Sequence, residues 1–273
     1  MSTSSGSRIR YGMWVLMGLT AIALSSCTRS RIKPRSSVRP YEVVVVADRD
    51  SSIVRALEAP AEGLPQPEPM FDTRAVGRLE GSQRYARAIV VYSPTADTPR
   101  VARDRYARPQ IIVTCNGKHM NSVVKALNDF ELRQRAYELK THANGEFESE
   151  VRRTFGFSMR IPDDMKAVKR ADGFLWMSNN RAEGMQNLVV VRGDVATQLR
   201  LHLKGASDSM YVRLMPGGLW EMEGDAMGGP YRCRRVGGVG PDSLTCVAFV
   251  YAPEGKKRNL MRQLEAVLYT IKK

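Results

Sequence analysis

The chain has 273 residues, of which 43% are hydrophobic and 26% charged, and its formal net charge is +14. That apolar fraction excludes an intrinsically disordered protein and is enough to build one large domain or two small ones. The positive excess points to anionic partners, of which nucleic acid is the first to consider.

The amino terminus argues against nucleic acid. Arg8 and Arg10 precede an uncharged run over residues 12–24 that ends in Leu24-Ser25-Ser26-Cys27. A basic start, a short apolar stretch and small residues before a cut mark an export signal. The run has 13 residues, short of the roughly twenty that a membrane-spanning helix needs. Leu24-Ser25-Ser26-Cys27 resembles the lipobox of bacterial lipoproteins. This implies a signal peptide over residues 1–26 and lipid, palmitate included, on Cys27. Two or more acyl chains give stable anchoring where one does not. The resemblance also favours the outer membrane, because Thr28 stands where an inner-membrane lipoprotein carries aspartate. Residues 27–40 form a basic tether with Arg29, Arg31, Lys33, Arg35 and Arg39 and no acid. Each such cation adds about 1 kcal/mol of attraction to an anionic membrane surface. A basic rather than acidic stretch after Cys27 favours a periplasm-facing position. Outside the cytoplasm the anionic candidates are lipopolysaccharide phosphates and acidic glycans.

After the tether, residues 41–47 with four consecutive valines read as a strand buried on both faces. Ser51 can cap a helix through Ile53, Val54 and Leu57. Residues 59–69 break all periodicity, and Pro65, Pro67 and Pro69 keep their predecessors extended. Residues 84–92 and 110–115 are further strands, joined by a loop with Pro94, Pro99 and Pro109. Met120, Val123, Val124, Leu127 and Phe130 fall at helical spacing within a helix over 118–140. A second helix covers 146–154. Beyond it lie short strands at 157–161, 173–177, 187–191, 210–214, 219–223, 231–236 and 243–251, split by Gly and Pro clusters, as in an antiparallel sheet. The closing helix, 254–271, carries an apolar stripe of Leu260, Leu264, Val267, Leu268 and Ile271, with Lys256, Lys257, Arg258 and Arg262 largely outside it. The fold class is therefore α+β: two lobes of mainly antiparallel sheet with packed helices, spanning 41–155 and 156–273.

Several segments together resemble the domain of unknown function 4837 family of envelope lipoproteins. They are the valine strand ending in Ala47-Asp48, the Pro-rich run from Leu64 to Asp72, Ile161-Pro162, Phe174-Leu175-Trp176, the stretch from Trp220 to Pro230, and the run from Phe249 to Pro253. The resemblance spans nearly the whole mature chain. The second half is also similar, more loosely, to PsbP-type α/β/α sandwiches, which implies binding or assembly roles by analogy of fold alone.

Motifs for chemistry are sparse. His119, His142 and His202 show no metal-binding spacing, and Cys115, Cys233 and Cys246 form no Cys-x-x-Cys, so neither a metal nor a cofactor is expected. Cys233 and Cys246 flank a Gly-rich turn. They are either disulfide partners across a hairpin or small core thiols. No Gly-x-Ser-x-Gly elbow occurs, and Gly237-Gly238-Val239-Gly240 opens onto a strand as a turn rather than a phosphate cradle. Glu221 and Glu223 alternate on one strand and share a face, Asp225 continues the row, and Glu68 and Asp72 could approach from the other lobe. Paired acids can perform glycan chemistry or form a solvated face. Trp176 and Trp220 are candidate sugar platforms or core residues. Gly228, Gly229 and Pro230, after Met227, let the backbone approach something closely. Trp220, Glu221, Glu223, Asp225, Met227, Gly228, Gly229 and Pro230 make up the candidate binding surface. The expectation is a lipid-anchored, non-enzymatic binding or assembly factor whose partner is an envelope protein or an anionic glycolipid. The alternative is an enzyme that acts on envelope glycan or lipid through those carboxylates.

Overall fold

The computed structural model describes residues 33–207, 209–222 and 228–273. Residues 1–26, read above as a signal peptide, and Cys27, Glu223, Asp225 and Met227 lie outside these residues. The fold is α+β in two lobes. The first sheet has the order β2-β1-β3-β5-β4, from strands β1 (Glu42–Val46), β2 (Asp72–Val76), β3 (Ala88–Tyr92), β4 (Arg100–Arg103) and β5 (Ile111–Cys115). Its β1–β2, β1–β3 and β3–β5 pairings are parallel and only β4–β5 is antiparallel. The expectation of a mainly antiparallel first lobe is corrected here. Helices α1 (Ser52–Leu57) and α2 (Met120–Glu138) lie on one face of the sheet. Val43 and Val45 enter the core beneath these helices, while Val44 and Val46 pack with Ala86, Ile89 and Ile112 on the other face. Both faces are covered, as a parallel sheet requires.

Ser51 stands at the N-cap of α1 but in a left-handed conformation without a capping side-chain bond. Asp50 and Asp48 accept from the N–H groups of Ser52 and Val54 instead. The end of the basic tether is not free. Ser36 and Ser37 donate backbone bonds to Arg108 and Tyr85, which lays residues 34–37 along the first lobe.

The second sheet is antiparallel throughout, in the order β6-β7-β8-β12-β11-β10-β9. Its strands are β6 (Ala167–Ala171), β7 (Phe174–Ser178), β8 (Met185–Arg192), β9 (Val212–Met215), β10 (Leu219–Met222), β11 (Gly228–Gly237) and β12 (Leu244–Tyr251). Helices α3 (Gly145–Phe155) and α5 (Arg258–Tyr269) cover one face and α4 (Val195–His202) the other, which gives three α/β/α layers. Asn144 caps α3 by accepting from the Phe147 N–H, and Gly156 closes it in the left-handed conformation. Because Phe147, Val151 and Phe155 belong to the second core, the lobes divide before α3 and not near residue 155. Residues 157–161 form no strand. Phe157, Met159 and Ile161 are nevertheless buried in alternation, and Ser158 bridges Lys272.

Cys233 and Cys246 are not bonded. In the β11–β12 register Cys233 faces Val247 and Cys246 faces Arg234. A one-residue offset puts the two thiols on opposite faces of the sheet. Among the described residues, no helix is long and apolar enough to cross a membrane.

Candidate functional site: the seam between the lobes

Helix α2 belongs to both cores. Val123, Leu127 and Phe130 enter the first, while Leu139, with Leu132 beside it, enters the second. Phe130 and Leu132 are two residues apart, about 200° around the helix, so opposite flanks face opposite lobes. The seam is closed by α5. Glu68, 8% exposed and carried by the Pro-rich segment of the first lobe, accepts from the backbone N–H of Lys257 at 2.7 Å and of Arg258 at 3.2 Å. It thereby satisfies the otherwise orphaned donors at the start of a helix in the other lobe. The Arg258 guanidinium returns the contact, donating to both carboxylate oxygens of Asp72 at 2.7 and 3.3 Å and to the Pro69 carbonyl. That bond holds the Asp72 carboxyl below the usual carboxylate range.

One turn further along α5, the Arg262 guanidinium lies 3.8 Å from the centre of the Tyr41 ring and 5.3 Å from that of Phe71. It is buried, and its Nη1 has no hydrogen-bond partner among the described residues. Burial pulls its pKa down to about 10 and pushes the Tyr41 phenol up to about 12. Nearby, Arg87 and Glu131 form a buried pair, with Nε and Nη2 within 3.0 Å of the carboxylate. Burial outweighs the Arg87 charge there and leaves the Glu131 carboxyl above its ordinary range. Glu265 is likewise raised by burial against the opposing charge of Arg232, 3.0 Å away.

Two grooves open along the seam, one on each flank of α2. On the first flank a cavity of about 250 Å³, lined by Tyr41, Glu131 and Arg262, shares Pro40, Arg87, Arg135 and Gln263 with a groove of about 560 Å³ that reaches Asp163, Asp164 and Arg181. Its charges are largely paired: Arg87 with Glu131, Arg135 with Glu138 and Arg181 with Asp164. The other groove, about 490 Å³, is lined by Arg133, Tyr137 and Lys140 of α2, Arg152 of α3, and Tyr269 and Lys272 at the end of α5.

The candidate surface read from the sequence is not one site. Trp220 is 2% exposed and donates from its indole to the Val250 carbonyl at 2.9 Å, edge-on to Phe249. It is core, and Trp176 is half-buried with its indole bonded to Asn187. A Cβ on Gly229 would lie 2.1 Å from the Val250 carbonyl oxygen, so the close approach read at Gly228-Gly229-Pro230 is to strand β12. Glu221 pairs with Arg213 on the neighbouring strand β9. Glu68 and Asp72 do reach the second lobe, but at α5 and not beside Glu221. His119 and His142 are exposed, and among the described residues no three His, Cys, Asp or Glu side chains are grouped to hold a metal ion.

Sequence reasoning missed Arg258 and Arg262, which lie largely outside the apolar stripe of α5 yet are buried at the seam. Their spacing of four residues, which aligns them on one stripe of the helix, was the available signal.

No curated protein and no solved structure matches the chain. The family model Domain of unknown function (DUF8532) matches residues 36–141, and Domain of unknown function (DUF4837) matches residues 144–217 and 194–270. The division between them falls between α2 and α3, where the cores divide. The resemblance read over nearly the whole chain therefore holds for the second lobe. Through residues 144–270 the chain belongs to the DUF4837 family.

Proposed function

We propose that this is a lipid-anchored envelope protein, held by Cys27 at the outer membrane facing the periplasm, that binds a partner or ligand without transforming it. The lipobox-like Leu24-Ser25-Ser26-Cys27 supports the anchor. The observation that carries the non-enzymatic part is the fate of the acids. Glu68 caps α5, Asp72 pairs with Arg258 and Glu221 pairs with Arg213, so each of these three, the members of the set among the described residues, is engaged. Acid–base work on a glycan needs two carboxylates flanking one bond. The lobes are instead locked by α2 and α5 into a shape with grooves on both flanks, which suits recognition.

Cys27→Ser tests the anchor. The variant should lack the acyl mass of the wild type and leave the membrane fraction. Unchanged mass and unchanged sedimentation would overturn the anchor. Crosslinking in intact cells should capture an envelope partner. Turnover of an envelope glycan by the purified chain, abolished by Glu221→Gln, would overturn the binding role.

A further inference from the structure

We propose that the groove lined by Arg133, Tyr137, Lys140, Arg152, Tyr269 and Lys272 is a binding site for a phosphorylated sugar. The proposal deepens the binding role above by assigning it a surface and a ligand class.

The first argument is charge. The groove holds five cations, Arg133, Lys140, Arg152, Arg160 and Lys272, and one acid, Glu148. Glu148 is spent internally: it accepts from Arg160 at 2.8 Å and from the Ile161 N–H at 3.2 Å. Arg133, Lys140, Arg152 and Lys272 then have no carboxylate within 4.0 Å among the described residues. Like charges gathered around a groove of about 490 Å³ raise the positive potential there and favour an anion placed among them. On the other flank of the same helix Arg87, Arg135 and Arg181 are spent on internal pairs.

The second argument is aromatic surface. Tyr137 is 66% exposed and Tyr269 is 48% exposed, two of the few large hydrophobic side chains so placed, and both line this groove. The Lys140 ammonium lies 4.9 Å from the centre of the Tyr137 ring, which holds that cation at the rim. Tyr269 makes no ring contact with any described residue. A phenol with an apolar face and a polar edge suits a sugar ring, which has both kinds of surface. Trp176 and Trp220, the sugar platforms suggested by the sequence, are half-buried and buried. A phosphate alone would satisfy the cations and leave the tyrosines unused, whereas an uncharged sugar would do the reverse. A phosphorylated sugar uses both.

The test is calorimetric titration of the purified full-length chain in detergent with glucose 6-phosphate, glucose and inorganic phosphate. Glucose 6-phosphate should bind most tightly, and its affinity should fall as salt is added. The double variant Lys140→Glu, Lys272→Glu should weaken it about tenfold or more. Tyr269→Ala should weaken glucose 6-phosphate several-fold and leave phosphate unchanged. Arg135→Ala, on the other flank, should change nothing. Phosphatidylcholine vesicles carrying a lipid with a phosphorylated hexose headgroup should displace the sugar if the natural headgroup is lipid-borne, and leave it bound if the sugar is free. Both results keep the site. Phosphate binding as tightly as glucose 6-phosphate, with no effect of Tyr269→Ala, would overturn the sugar assignment. Unchanged affinity in the double variant, or no binding by a wild type with an intact cooperative melt, would overturn the site. These titrations do not involve Cys27 acylation, so their failure is distinct from failure of the anchor.

Discussion

The two flanks of α2 gather similar numbers of cations and use them differently. On the flank of Glu131 and Arg135, most of the charge is met from within: Arg87, Arg135 and Arg181 each face an acid. On the flank of Arg133, Tyr137 and Lys140, the one acid, Glu148, is taken by Arg160, the remaining cations have no acid among the described residues, and the aromatic rings stay exposed. Paired and buried charge fixes the lobes together, while unpaired and exposed charge is left for something that arrives from solution. Net charge alone does not distinguish the two uses. The difference becomes visible only when each arginine is traced to its partner.

The largest effect should come from breaking the paired flank. Glu131→Ala leaves Arg87 buried without its close partner and should cost about 3 kcal/mol in denaturant unfolding. Arg133→Ala, two residues on, should leave the same measurement within about 0.5 kcal/mol. Next in size is the helix cap supplied across the seam. Glu68→Ala strands two buried N–H groups at the start of α5 and should cost about 1–2 kcal/mol. It should also raise hydrogen exchange in both lobes, whereas faster exchange in α5 alone would mean that Glu68 does not join them. Arg262→Met should be nearly neutral, within about 1 kcal/mol. The desolvation of a guanidinium whose Nη1 lacks a hydrogen bond offsets its contact with Tyr41.

The smallest expected effect is the pH dependence. Asp72 is held below its ordinary pKa by Arg258, so its contribution is present above that ordinary value and lost as pH falls through the folded value. Glu131 is raised, which has the opposite sign. Its contribution is greatest below the ordinary carboxylate pKa and declines as pH rises through the folded value. Asp72→Asn should therefore flatten the acid limb of a melting-temperature profile. A limb as steep as that of the wild type would remove Asp72 from the seam's energetics.

Much of the fold was legible. Four consecutive valines marked a doubly covered strand, and the spans of α2, α3 and α5 were read within a few residues. Strand direction in the first lobe was not legible, because valine runs give no direction and the crossovers hold only short elements, α1 before β2 and the edge strand β4 before β5. Strand β4 escaped because Arg100–Arg103 is exposed along its whole length, as an edge strand protected by charge tends to be. Helix α4 was missed although Asp194 caps it by accepting from the Thr197 N–H. The candidate site was mostly not legible. Arg258 and Arg262 are buried by a lobe that local pattern does not represent. The basic groove draws one residue cluster from each of α2, α3 and the chain's end, and no spacing in the sequence connects them.

Hydrogen exchange of the full-length chain with and without glucose 6-phosphate, at matched salt, tests most directly how the two flanks of α2 divide their roles. Protection should appear over residues 133–140, 152–160 and 269–272 and be absent over residues 35–40 and 181–186. Protection on the paired flank instead, or on neither flank at saturating ligand, would contradict it.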